Sequence, residues 1–181
     1  MREDTTKNPP HITHVERKIY KNLVLTHKMH KNQAESYQTE TSVIKLLLIA
    51  TTISVFIVLI APLDYNISWG IKFGLALIDL FLILYESGFR PDEKLQIHKN
   101  AVSQLLNLRN TFAIAMSDYT LGRIDQKEFL HIRNKTSQRA DSIYSSAPSV
   151  SRKSVRKAKD ETRKYLSKNA DYLLKEIKTK D

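Results

Sequence analysis

The sequence predicts an all-α protein: a two-span transmembrane helical hairpin with an N-terminal helix before it and cytoplasmic C-terminal helices after it. Two observations carry this. First, charge and apolarity are segregated. Charged residues make up 27% of the chain, yet Leu46 to Leu63 holds none over 18 residues, and Ile67 to Tyr85 holds only Lys72 and Asp79. Eighteen residues at about 1.5 Å of helical rise span roughly 27 Å, close to the hydrocarbon thickness of a bilayer. Second, 4 glycines and 5 prolines among long Lys, Glu, Gln and Ala stretches favour helix over sheet. A cleaved secretory signal has a shorter apolar region close to the chain start, so none is expected here. A buried core helix of a soluble domain would carry an amphipathic stripe, whereas Leu46 to Leu63 is apolar nearly all round.

Taken in order, residues 1–11 form a flexible tail containing Pro9-Pro10 and lacking periodicity. A helical segment follows over 12–42: Val15, Ile19 and Leu23 recur every four residues, and His30, Ala34 and Tyr37 continue the stripe toward the first span without an obligatory break. The hairpin occupies 43–90, with spans at about 43–63 and 67–88. Pro62-Leu63-Asp64-Tyr65-Asn66 ends the first helix and turns the chain. So short a connection makes the spans antiparallel. Eight Lys and Arg lie in residues 1–45 and nineteen in 91–181, while the turn has none. By the positive-inside rule both termini face the cytoplasm.

The region 91–181 opens with a heptad-like stripe of Leu95, His98, Val102, Leu105, Phe112, Met116 and Tyr119, interrupted by Arg109, which requires a packing partner. Gly122 stops that helix. Ile124-Asp125-Gln126-Lys127-Glu128-Phe129 starts another, with Asp125 as N-cap, Glu128 completing a capping box and Ile124 stapling to Phe129. Its apolar face is Phe129, Ile132, Ala140 and Ile143, and Ala147-Pro148 ends it. A last helix begins near Ser149 or Ser151, with Val155, Ala158, Thr162, Tyr165, Asn169 and Tyr172 along one side and basic residues on the others.

The polar residues of the second span are the candidate site. Lys72, Asp79 and Glu86 are seven apart in turn and share a helical face with Ala76 and Ile83. An ionised group at mid-membrane is costly unless it meets a partner or water. Lys72 can snorkel to the outer interface beside Trp69, and Glu86 can sit at the inner one. Asp79, about 10 Å from Lys72 along the helix, is expected to face a neighbouring helix or a wet lumen, with a purely structural role as the alternative. Gly70 and Gly74, four apart, permit close helix packing in lipid. Thr51, Thr52 and Ser54 can satisfy themselves on backbone carbonyls.

Several chemistries are excluded or unsupported. With no cysteine there is no disulfide, thiol nucleophile or cysteine metal site. His11 with His14 and His27 with His30 have a spacing compatible with metal binding but lack a converging third ligand, so solvated histidines are expected. No Gly-rich phosphate loop, catalytic triad order or zinc-hydrolase helix occurs, so neither cofactor nor enzymatic activity is expected. The net charge of +10 is concentrated in 91–181, which carries +8 of it, most densely at Arg152, Lys153, Arg156, Lys157, Lys159, Arg163 and Lys164. Beside membrane spans, an anionic lipid leaflet is a nearer partner for these than nucleic acid, and a plain solvated face is the alternative. An anionic nucleotide signal or protein partner also stays open.

The two adjoining spans, Ala101-x-x-x-Leu105-x-x-Leu108-Arg109, Asp118-Tyr119 ahead of Gly122, and Ala147-Pro148 before a helix with Ala158 together resemble the SLATT family. These are two-transmembrane effector domains found with bacterial nucleotide-signalling and reverse-transcriptase conflict systems. The resemblance covers about residues 15 to 165. It implies an inner-membrane effector, not an enzyme, that oligomerises and opens a pore or disrupts the membrane when a partner senses infection. The implied outcome is abortive infection as an antiviral defence. The alternative is a non-conducting anchor or scaffold that recruits a partner through the helix at 95–119. A membrane-tethered nucleic-acid binder ranks behind both.

Overall fold

The computed structural model describes residues 11–61 and 65–178, the side chains of 65–68 and 169–178 excepted. The tail at 1–10, the turn residues Pro62, Leu63 and Asp64, and the side chains of Asn169 and Tyr172 therefore lie outside the described residues. The described residues form five helices: α1 (His14–Ile60), α2 (Tyr65–Phe89), α3 (Pro91–Thr120), α4 (Gln126–Ser146) and α5 (Arg152–Lys178). Among the described residues there is no strand. α2 starts at Tyr65, so Tyr65 and Asn66 belong to the helix rather than to the turn.

The chain divides into two compact units, one of 1–33 with 97–181 and one of 34–96. The first is a helical bundle. Its core is Leu23 from α1, Ala101, Leu105, Leu108, Phe112, Ala115 and Met116 from α3, and Phe129, Ala140 and Ile143 from α4. Phe112, Leu23 and Leu105 are fully buried, each burial stabilising by about 1.5–3 kcal/mol. The stripe on α3 thus finds its partner inside the chain. His98, Leu105, Phe112 and Met116 point inward as expected, while Ala101 takes the place of Val102 and Leu108 stands beside Arg109 on the inward face. The arginine does not interrupt the seam, because Leu108 fills the position.

The bundle's helix ends follow local chemistry. Asp125 is extended and accepts from the Glu128 amide at 2.7 Å, capping α4, while Ile124 packs on the core beside Phe129. Gly122 adopts φ +69, which a glycine tolerates without strain, and the Arg123 amide returns to the Asp118 carbonyl at 2.8 Å to close α3. Ser151 Oγ accepts from the Ser154 amide at 3.3 Å, starting α5. α5 lies against α1 through small side chains: Ser154, Ala158 and Thr162 are each at most 5% exposed. Tyr20 and Tyr165 hydroxyls meet at 3.4 Å, and the Ser151 amide donates to Gln33 Oε1 at 3.0 Å, so the two helices run antiparallel.

On α1 the expected stripe is corrected at its start. Val15 is 53% exposed and its neighbour Glu16 is buried instead. Burial pushes the Glu16 carboxyl up, but hydrogen bonds from Thr13 and from Arg133, 3.1 Å away on α4, outweigh it and hold the group below its ordinary range. A charged residue takes the inward position because a cation and a helix cap both meet it there. His30 is also a correction: it is buried, not solvated, because it packs on α3. His30 Nδ1 and His98 Nδ1 share one hydrogen bond at 2.9 Å. His11 and His14 are exposed as expected.

Candidate functional site in the apolar hairpin

In the second unit, α1 and α2 pack along a seam read from their partly covered residues. On α1 they include Leu48, Thr51, Val55 and Val58, continuing the buried Thr41 and Ile44; on α2 they include Lys72, Leu75, Asp79, Leu82 and Glu86. Both sets step by three or four, the spacing of left-handed helix pairing. The outside is apolar and uncovered. Leu46, Ile49, Ile53, Phe56 and Ile57 of α1, with Phe73, Leu77, Phe81 and Leu84 of α2, are each about half exposed or more. Only 6% of the most apolar stretch of α1 is buried. A helix this apolar and this bare calls for hydrocarbon as its solvent.

By length and composition, α1 is the one described helix that qualifies to cross a membrane. α2 has no such stretch among the residues described with side chains. From Trp69 onward every 18-residue stretch of it includes Lys72, Asp79 and Glu86. Those three residues are where the hairpin places its polarity. Each is partly covered, whereas Ala76 and Ile83, assigned to the same stripe, are exposed. Asp79 accepts a hydrogen bond from the Thr51 hydroxyl. Its neighbouring helix is thus α1 of the same chain.

Thr51 also reaches the Leu47 and Leu48 carbonyls at 3.0 and 3.1 Å, Thr52 the Leu48 carbonyl at 2.7 Å, and Ser54 the Ala50 carbonyl at 2.8 Å. These hydroxyls satisfy themselves on the helix, as expected. Two further polar contacts join this unit: Tyr85 of α2 donates to Glu40 of α1 at 2.6 Å, and Lys45 of α1 donates to Asp92 at the start of α3 at 2.7 Å. Neither contact is readable from spacing, because the register depends on the turn. Gly70 and Gly74 touch nothing: a Cβ at either would have no neighbour within 4 Å. The glycine pair therefore takes no part in packing α1 on α2. Near the turn end of α2 Trp69 stacks on Phe73 with centroids 5.4 Å apart.

In the bundle, Arg152, Lys153, Arg156, Lys157, Arg163 and Lys164 are all exposed on α5. Lys157 reaches Glu161 at 3.9 Å, a surface pair of small energetic consequence. Among the described residues no group of three or more His, Asp or Glu is disposed to hold a metal.

Residues 13–172 match the model of the SMODS and SLOG-associating 2TM effector domain family 4. The chain belongs to the SLATT family. No curated protein and no solved structure matches it. Membership makes the chain a membrane protein with an effector domain, and the bare apolar flanks of α1 and α2 are the physical counterpart of that description. The family's association with SMODS and SLOG links this SLATT protein to nucleotide-signalling conflict systems.

Proposed function

We propose that this SLATT protein is a membrane effector of a bacterial antiphage system that assembles into homo-oligomers and opens a pore through, or disrupts, the inner membrane. A protein partner or nucleotide signal activates it, and no catalytic step is involved. The observation that carries this reading is the inverted hairpin: apolar side chains outward on all flanks, with Asp79 and Glu86 partly covered along the seam. Two helices cannot enclose water, so a conducting path needs several copies, with polar residues turned toward one another across the assembly. Lys72, Asp79 and Glu86 supply those polar residues. Gly70 and Gly74, open within the protomer, offer backbone for a second copy to approach closely.

Both chain ends lie on the cytoplasmic side in this reading, supported by the Lys and Arg excess outside the hairpin. The exposed basic face of α5 then meets the anionic leaflet or the activating partner. The scaffold alternative relied on α3 to recruit a protein, and it is weakened because that stripe is occupied by the chain's own core. The test is leakage of dye and ions from liposomes holding wild type, Asp79→Ala or Gly74→Leu at matched protein density. The pore reading expects wild-type leakage that both substitutions change. Sealed vesicles with every protein, activating partner included, would overturn it.

A further inference from the structure

α3 and α4 leave a groove of about 430 Å³ between them, and nothing in the hairpin's chemistry uses it. From α4 it is lined by Lys135, Thr136 and Arg139, and from α3 by Gln104, Asn107 and Thr111. Lys135 and Arg139 are one turn apart on one helical face and exposed, and neither has an ion pair or hydrogen bond among the described residues. Between them Thr136 also lines the groove, and its side chain likewise has no hydrogen-bond partner among the described residues. Leu108, Ala115 and Ile132 give the groove an apolar floor.

The groove is polarised. Its other end, beside the α3–α4 loop, holds Asp118, paired to Arg123 at 3.2 Å, and Glu128. Glu128 lies roughly 10 Å down α4 from Lys135, so the two cations share their end with hydroxyls and amides only. Two unneutralised cations one turn apart fit a dianion better than a single carboxylate, and an Arg fork suits phosphate oxygens. A concavity of a few hundred Å³ with an apolar floor and few convergent polar groups is of the size and composition that holds small organic ligands.

We propose that this groove binds a small phosphate-bearing organic molecule, the phosphate held by Lys135, Arg139 and the Thr136 hydroxyl and its apolar body laid on Leu108, Ala115 and Ile132. Gln104, Asn107 and Thr111 face its polar edge. As a regulatory input the site rests on the effector reading, but binding itself does not, and the test measures binding rather than flux.

The probe is trinitrophenyl-ATP, whose fluorescence rises on leaving water, titrated onto the purified full chain in detergent. Saturable binding is expected, weakened at least fivefold by Lys135→Gln or Arg139→Gln, both exposed positions that the fold tolerates. Thr136→Val should also weaken it while leaving the melting temperature unchanged or higher. Arg163→Gln, on the basic face of α5, should leave it unaltered. Displacement by AMP assigns the phosphate to a soluble ligand, and displacement by dihexanoyl phosphatidic acid alone assigns it to a lipid headgroup; either supports the site. Absence of saturable binding, or equal weakening by Arg163→Gln, overturns it.

Discussion

Replacing Thr51 by valine removes the hydroxyl that meets Asp79 across the hairpin, with little change of shape. The structure limits what else is lost. The Leu47 and Leu48 carbonyls that Thr51 also reaches remain in the helix ladder, and the neighbours Leu48 and Val55 keep their packing. The effect therefore isolates one interhelical hydrogen bond. Such bonds in membrane proteins average about 0.6 kcal/mol with a maximum near 1.7, because the separated helices find other partners in lipid. Pairing Thr51→Val with Asp79→Ala in a double-mutant cycle should return a coupling of about 0.6–1.7 kcal/mol. The assay is unfolding of the full chain in mixed micelles as the SDS fraction rises, followed by circular dichroism. Independent sites add to within about 0.3–0.5 kcal/mol. A coupling inside that limit would refute the contact, and with it the placement of Asp79 on the seam between α1 and α2.

Two other outcomes follow from the bundle. Phe112→Ala empties a fully buried site beside Phe129, ring centroids 6.3 Å away, and should cost about 3–5 kcal/mol in chemical denaturation; a loss under about 1 kcal/mol would mean that α3 does not carry the core. Stability should fall on acidification from pH 6.5 toward 4. Burial, with the charges of Arg109, Lys31 and Lys28, lowers His27 from 6.5 to about 4, and burial with His30 lowers His98 to about 4. The unfolded chain therefore takes up protons near 6.5 that the folded chain refuses until about 4, so each step down that window favours unfolding. A melting temperature that stays flat across it, or a His27→Gln variant with an undiminished slope, would contradict this.

What could be read in advance depended on how local the physics is. The lipid-facing stretch of α1 was legible because a bilayer imposes a length and an absence of charge that few soluble helices share. The α4 N-cap was legible because Asp125 accepts from the Glu128 amide within one turn, whereas the return bond of a capping box, from the Asp125 amide to the Glu128 carboxylate, is absent among the described residues. The small inward face of α5 was legible from its periodicity at Val155, Ala158, Thr162 and Tyr165. By contrast, Glu16 replaced Val15 on the inward face because of Arg133, 117 residues away in sequence, and no local spacing signals that partner. The periodicity of α1 placed His30 on the inward stripe, where it is buried, but its partner His98 on another helix overturned the reading of it as a solvated histidine. The α3 stripe announced that something packs there, but Leu23 of α1 and Phe129 of α4 as its partners are products of tertiary packing. The contact of Asp79 with Thr51 depends on the hairpin register, which the spacing within the second span does not carry.

The central claim, that this SLATT protein breaches a membrane through its hairpin, is tested most directly by potassium flux from proteoliposomes. These would hold the full chain with its conflict-system partner and the activating nucleotide supplied. The account predicts potassium release that rises more steeply than linearly with protein density, as an assembly of several copies requires, and that Asp79→Ala alters. Vesicles that retain potassium at every density, with the protein correctly inserted, would contradict it and leave the hairpin as an anchor.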